Sequence, residues 1–330
     1  MRRKRPADWC LQALTRRHPK TRMKARMRTL ALALTLLLAG CERPAPPTPP
    51  PLSGEPAGPY DLQLRLQPAA PLPAQPARFE FQLLETDSER PVTDLQVVHE
   101  RRLHTFIVAR DFSSFAHLHQ EDSQPLSAED LAVGRFRFDY TFPKGGRYRV
   151  QTEFTHRNRG WLKSFDVDVG EPPSSLPQVI DLARRQTVGA YTATLAATPE
   201  PLAAGQEVAL QLTLTREGEP VHDLQLWLGS EVHAALWRMD LREFAHTHSD
   251  TPEMAAMREG MQGHRMSADE TAAMMLAMSA KPAQLVFPGP SVPLRFTFPS
   301  AGTWVMFCQL APGGEPVVFR FMLNVNPAAP

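Results

Sequence analysis

Six histidines stand in two matching sets: His104, His117 and His119, then His233, His246 and His248. In each set a lone histidine precedes a His-x-His pair by 13 residues, and the pair closes the near-identical words FAHLH (115–119) and FAHTH (244–248). Neutral imidazoles suit copper, zinc or nickel. Three on one rigid surface make a chelate with a position left for a fourth ligand.

The spacing places each set on a hairpin. Between the lone histidine and the pair lie ARDFSS in one copy and RMDLRE in the other, which read as turns. With the first turn centred on Asp111-Phe112, residues whose numbers sum to 223 stand opposite, so His104 faces His119. About Asp240-Leu241, His233 faces His248. Side chains two apart on a strand share a face, with opposite Cβ atoms about 5 Å apart and diagonals near 7 to 8 Å. Each set of three imidazoles then forms one cluster. The same face carries Phe106, Val108 and Phe115 in the first copy and Trp237 and Phe244 in the second. That composition supports a second reading, in which the histidines are hydrogen-bonded edge residues of an apolar core.

The hairpins belong to an internal duplication. At a shift of 129, PVTDLQVVHERRLHTFIVARDFSSFAHLH (91–119) lies over PVHDLQLWLGSEVHAALWRMDLREFAHTH (220–248). Only eleven of the 29 positions are identical, yet all three histidines are among them. The match resumes at a shift of 156, with FDYTFPKGGRYRV (138–150) over LRFTFPSAGTWVM (294–306) and FDVDV (165–169) over FMLNV (321–325). Two copies of one domain of roughly 110 residues follow. Short alternating runs such as ARFEFQLLE, RFRFDYTF and EVALQLTLT, broken by Pro, Gly and Asp, read as strands at sandwich spacing. The expected fold is all-β: two tandem Ig-like or cupredoxin-like antiparallel β-sandwiches, over 60–170 and 189–327, joined by a linker at 171–188.

The 27-residue difference between the two shifts is an insertion in the second copy, and it is rich in methionine. Thr251-Pro252 makes an N-cap and first-turn pair, and Ser267-x-x-Glu270 a capping box, so 251–280 reads as a helical hairpin. Met254, Met257, Met261 and His264 share one helical face. Thioethers are soft ligands for Cu(I), which makes Met254 and Met257 candidate ligands over the second histidine set; the other reading is a buried methionine seam.

The pattern PVTDLQ…H…RDFSSFAHLH…FDYTFPKGGRYRV resembles a group of bacterial exported domains related to the YtkA-like family, over residues 91–154 and 220–310. The resemblance implies an Ig-like sandwich associated with heavy-metal or copper handling. Gln120 and Ser249 stand where that group has Pro after His-x-His, and Leu103 and Val232 where it often has Gly. FPSAGTWVMFC is similar to the strand that delivers the cysteine of cupredoxins. No His or Met follows Cys308 at the required spacing, so a blue-copper site is not expected and Cys308 reads as a buried free thiol.

The first 40 residues carry a basic segment, an apolar run from Leu30 to Leu38 and the ending Leu-Ala-Gly-Cys. This reads as a secretory signal rather than a membrane span. The ending resembles the bacterial lipobox, which implies lipidation of Cys41 as the mature N-terminus; an ordinary signal peptide is the alternative. Translation starts at Met1, Met23 or Met27. Eight prolines in residues 42–59 make an extended tether of about 50 Å. Without the leader the chain holds 25 Lys and Arg against 34 Asp and Glu, a net of about −9, which disfavours nucleic acid as a partner.

Enzyme motifs are absent: there is no G-x-S-x-G, phosphate loop or C-x-x-C, and HERRLH (99–104) has one residue too many for a zinc-protease helix. Two function classes remain, with a metal-dependent enzyme using the open coordination position a weaker third for which no acid or base is placed. One is an envelope lipoprotein, anchored by its lipid and facing the periplasm, that binds copper in preference to zinc for sequestration, sensing or handover to a protein partner. The other is a metal-independent scaffold whose histidines are structural.

Overall fold

The computed structural model describes residues 58–171, 179–250 and 286–328. The leader with Cys41, most of the proline tether and the methionine-rich insertion with Met254 and Met257 lie outside them. Among the described residues no helix is long and apolar enough to cross a membrane.

The first repeat consists of β1 (Tyr60–Gln67), β2 (Pro76–Glu85), β3 (Leu103–Ala109), β4 (Phe115–Leu118), β5 (Arg135–Thr141), β6 (Gly146–His156) and β7 (Arg159–Val169). One short helix, α1 (Ala128–Ala132), precedes β5. The strands form two antiparallel sheets, ordered β1-β2-β5 and β4-β3-β6-β7. β1 shows the period of two that a half-buried strand requires: Tyr60, Leu62, Leu64 and Leu66 are buried while Asp61, Gln63 and Arg65 are not. These side chains meet Phe79, Phe81, Ile107, Val150 and Phe165 in a core between the sheets.

The second repeat copies this plan. It comprises β8 (Arg185–Val188), β9 (Tyr191–Thr198), β10 (Glu207–Arg216), β11 (Glu219–Pro220), β12 (Leu224–Gln225), β13 (His233–Arg238), β14 (Phe244–His248), β15 (Val286–Phe287), β16 (Ser291–Thr297), β17 (Gly302–Pro312) and β18 (Val317–Val325). One sheet runs β11-β10-β9-β8 with β16 on β10; the other runs β14-β13-β17-β12-β15 with β18 on β17. The fold is therefore nearly all-β, two antiparallel sandwiches in tandem. Helical structure within 251–280 falls outside the described residues.

The repeated words hold corners. In FPKGGRY and FPSAGTW, Gly146 and Gly302 adopt φ of 121° and 131°, a conformation that strains any residue with a Cβ. Two residues on, the Tyr148 hydroxyl donates to the Lys144 carbonyl at 2.8 Å and the Trp304 indole to the Ser300 carbonyl at 3.1 Å. Asp94 accepts from His156 Nε2 (2.9 Å), whose Nδ1 accepts from the Tyr60 hydroxyl (2.6 Å). Its equivalent Asp223 instead takes both oxygens to Arg216, which also donates to the Tyr191 hydroxyl. Asp111 and Asp240 close the hairpins, each accepting from the backbone N–H two residues on.

Three strands break the alternation. β3 is buried at all seven positions, and β13 and β17 are buried along most of their length. Both faces are covered because the sheet β4-β3-β6-β7 packs against the corresponding sheet of the second repeat. Leu103 and Ile107 of β3 point into their own sandwich, while Phe106 and Val108 join Phe112, Ala235, Trp237, Leu241, Val305, Phe307 and Met322 in a third core between the repeats. Phe115 stacks on Phe307, ring centroids 4.6 Å apart. Burying each such large apolar side chain contributes about 2 to 3 kcal/mol, so this shared core holds the two sandwiches together.

Candidate metal centre

The hairpin register places the histidines. Thr105 pairs with Leu118, Phe106 with His117 and Val108 with Phe115, the sum-to-223 register expected from the turn. In the second hairpin His233 pairs with His248 and Trp237 with Phe244. His104 alternates with Phe106 and Val108 on β3, so it lies on the face that meets the other repeat. The two histidine sets therefore meet at one end of the interface core and are not separate sites on two rims.

In the first repeat the ring nitrogens converge. His119 Nε2 lies 2.9 Å from His104 Nδ1 and 3.0 Å from His117 Nε2, and His104 Nδ1 lies 3.3 Å from His117 Nε2. Each outer nitrogen faces an oxygen: His104 Nε2 the Val98 carbonyl (2.9 Å), His117 Nδ1 the Gln309 amide oxygen (2.9 Å), His119 Nδ1 the Asp122 carboxylate (2.7 Å). Carbonyls and carboxylates only accept, so the outer nitrogens carry the protons. The three inner nitrogens face one another about 3 Å apart. Nitrogens around a tetrahedral ion at about 2.0 to 2.1 Å stand roughly 3.3 Å from each other, so the set could hold a metal after shifts of a few tenths of an ångström. An outer hydrogen bond to carbonyl or carboxylate is the usual second shell of a metal-binding histidine.

Burial disfavours the charged form of five of the six histidines. Desolvation, reinforced by repulsion from neighbouring imidazoles, holds His104, His117, His233, His246 and His248 well below the ordinary imidazole range. Desolvation would raise the Asp122 carboxyl, but hydrogen bonds from His119 and Arg101 keep it below its usual value.

The second set departs from the first. His233 Nδ1 lies 3.3 Å from His246 Nε2, with His233 Nε2 on the Trp227 carbonyl (2.7 Å) and His246 Nδ1 on Glu153 (3.1 Å). His248 stacks instead on His99 of the first repeat, ring centroids 3.6 Å apart. The candidate ligand groups are thus His104/His117/His119, His117/His233/His246 and His99/His233/His248, each with its ligand atoms within 4.8 Å of one another. Seven histidines make one continuous cluster across the repeats.

The profile of a family described as a domain of unknown function, DUF8832, matches residues 58–171 and again residues 186–327. The chain belongs to that family. No curated protein matches it. Solved structures with some likeness include Salmonella alpha-2-macroglobulin (13% identity, TM-score 0.26), over 84% of this chain and 15% of that one. The fibronectin(III)-like modules of Clostridium thermocellum CbhA match at 7% identity and TM-score 0.19, over 80% of this chain and 95% of theirs. The FN1–FN3 domains of chicken CNTN1 match at 7% identity and TM-score 0.20, over 81% and 66%. At such scores the likenesses carry no argument.

In this DUF8832 pair the six predicted histidines all reach the cluster, while Met254 and Met257 fall outside the described residues. Cys308 is free and buried, on the face of β17 that looks into its own sandwich, away from the histidines. Burial pushes its thiol up to about 12. The sequence reading missed His99, Glu153 and Gln309. His99 has no counterpart histidine, because Leu228 occupies the equivalent place in the second repeat. Glu153 pairs with His104 across β3 and β6, and Gln309 with His233 across β13 and β17. The two are equivalent at the 156 shift, a signal that was available in the repeat alignment.

Proposed function

We propose that this is a binding protein for a transition metal, copper in preference to zinc, carried on an envelope lipoprotein and serving sequestration, sensing or handover. The observation that carries the reading is the convergence of three ring nitrogens in the first repeat while every outer nitrogen is committed to an oxygen. Histidines kept for structure alone would also bond to carbonyls, as these do, but would not need three ring nitrogens brought together at one point. An all-nitrogen donor set and the high place of Cu(II) in the stability order support copper, as do the resemblance to YtkA-like domains and the methionines that follow His248 in the sequence. Lipid attachment rests on the Leu-Ala-Gly-Cys41 ending alone. The site offers ligands and hydrogen-bond partners rather than a nucleophile, so the reading is of binding and not of catalysis.

Titration of the metal-free full chain with Cu(II), Zn(II) and reductant-stabilised Cu(I) tests this, beside a His117→Ala/His246→Ala double variant. The expected result is tight binding that the double variant loses at the first-repeat triad. Binding no tighter than roughly 100 μM, about 5.5 kcal/mol, would overturn the reading.

A further inference from the structure

Beyond the first-repeat triad, we propose a second metal site that neither repeat could build alone, formed by His99 of the first repeat with His233 and His248 of the second. It rests on the metal-binding reading above and extends it to the ligand set and the stoichiometry.

Two orphaned atoms point to it. His248 Nε2 and His99 Nδ1 are both buried without a hydrogen-bond partner, although a buried polar atom left unpaired costs about 1 to 3 kcal/mol. They lie on rings stacked 3.6 Å apart, beside His233 at 5.5 and 4.5 Å between ring centroids. His233 Nε2 is held at the Trp227 carbonyl, and the Leu228 backbone hydrogen-bonds to the His99 ring. His248 and His99, which carry the two unpartnered atoms, form with His233 a group whose ligand atoms lie within 4.8 Å of one another. His246 Nε2 lies 3.3 Å from His233 Nδ1, with Glu153 on the far side of its ring.

Sharing fixes the count. The middle group, His117/His233/His246, borrows His117 from the first site and His233 from the second, so it cannot hold a third ion while both outer sites are filled. Among the described residues the three groups therefore take two ions. They are not equivalent, because the second site draws on a loop histidine that the duplication did not copy: Leu228 stands at the matching position. Its ligands come from both repeats, so the second ion ties the two sandwiches together where the first triad lies within one.

Copper equivalents bound by the full chain decide the matter, measured by competition with a chromogenic chelator for the wild type, His99→Ala, His99→Phe and His119→Ala. The phenylalanine variant keeps a ring against His248 while removing both nitrogens, so a loss shared with His99→Ala and an unchanged circular-dichroism spectrum report ligation and not packing. Two equivalents in the wild type and one in each single variant are expected, with His99→Ala/His119→Ala binding none tightly. A wild type that binds one equivalent, or His99 variants that still bind two, would overturn the second site and leave the first triad standing. A wild type that binds none would overturn both.

Discussion

His117 of the first repeat is oriented by Gln309 of the second: its Nδ1 lies 2.9 Å from the Gln309 amide oxygen, across 192 residues of sequence. Glu153 of the first repeat does the same for His246 of the second, at 3.1 Å. Each repeat thus orients the central histidine of the other, an arrangement of the kind a two-fold dimer makes between identical faces.

Replacing Gln309 by Leu should leave the fold intact and weaken binding at the first triad by about 10- to 100-fold, the range for losing an outer hydrogen bond to a metal-ligating histidine. Chelator competition measures it, and an unchanged affinity would mean that Gln309 does not orient His117.

Trp237 is fully buried between the repeats, against Phe106, Phe115 and Phe307, with its indole N–H on Gln151. Trp237→Ala should cost about 3 to 5 kcal/mol. Urea denaturation of the metal-free protein provides the test; a loss below about 1 kcal/mol would show that the interface core contributes little.

Metal-free protein should be most stable above pH 6.5 and weaken in acid. Five histidines have folded pKa values depressed mainly by burial, and His99 is lowered to about 4. Their contribution is complete above the unfolded-state value near 6.5 and is lost as pH falls below it, because the unfolded chain then binds more protons. Glu153 works the other way. Desolvation pushes it up to about 8 although 29% of its side chain stays exposed, so its contribution is lost as pH rises through that value. Six imidazoles outweigh one carboxyl, and melting temperatures at pH 7.5, 6 and 5 should fall in that order.

Cys308 should resist alkylation in the native protein at pH 8, since burial excludes the reagent and holds the thiol protonated. Mass spectrometry after iodoacetamide treatment should show modification only once denaturant is added; rapid native labelling would place the thiol elsewhere.

Local physics made much of this legible in the chain itself. The period of two in YDLQLRLQ and EVALQLTLT marks strands with one wet face, and the Asp111 and Asp240 turns fix hairpin register, so His104 opposite His119 and His233 opposite His248 follow from residues within 16 positions of each other. The repeat showed that this happens twice. What the sequence could not say is where the second faces of β3, β13 and β17 go. Apolar residues on both sides, as in LHTFIVA and HAALWR, announce burial without naming the partner, because docking of two sandwiches depends on surface complementarity between distant segments. That docking alone decided that six histidines become seven, that His248 turns to His99, and that Gln309 and Glu153 stand behind the opposite repeat's ligands.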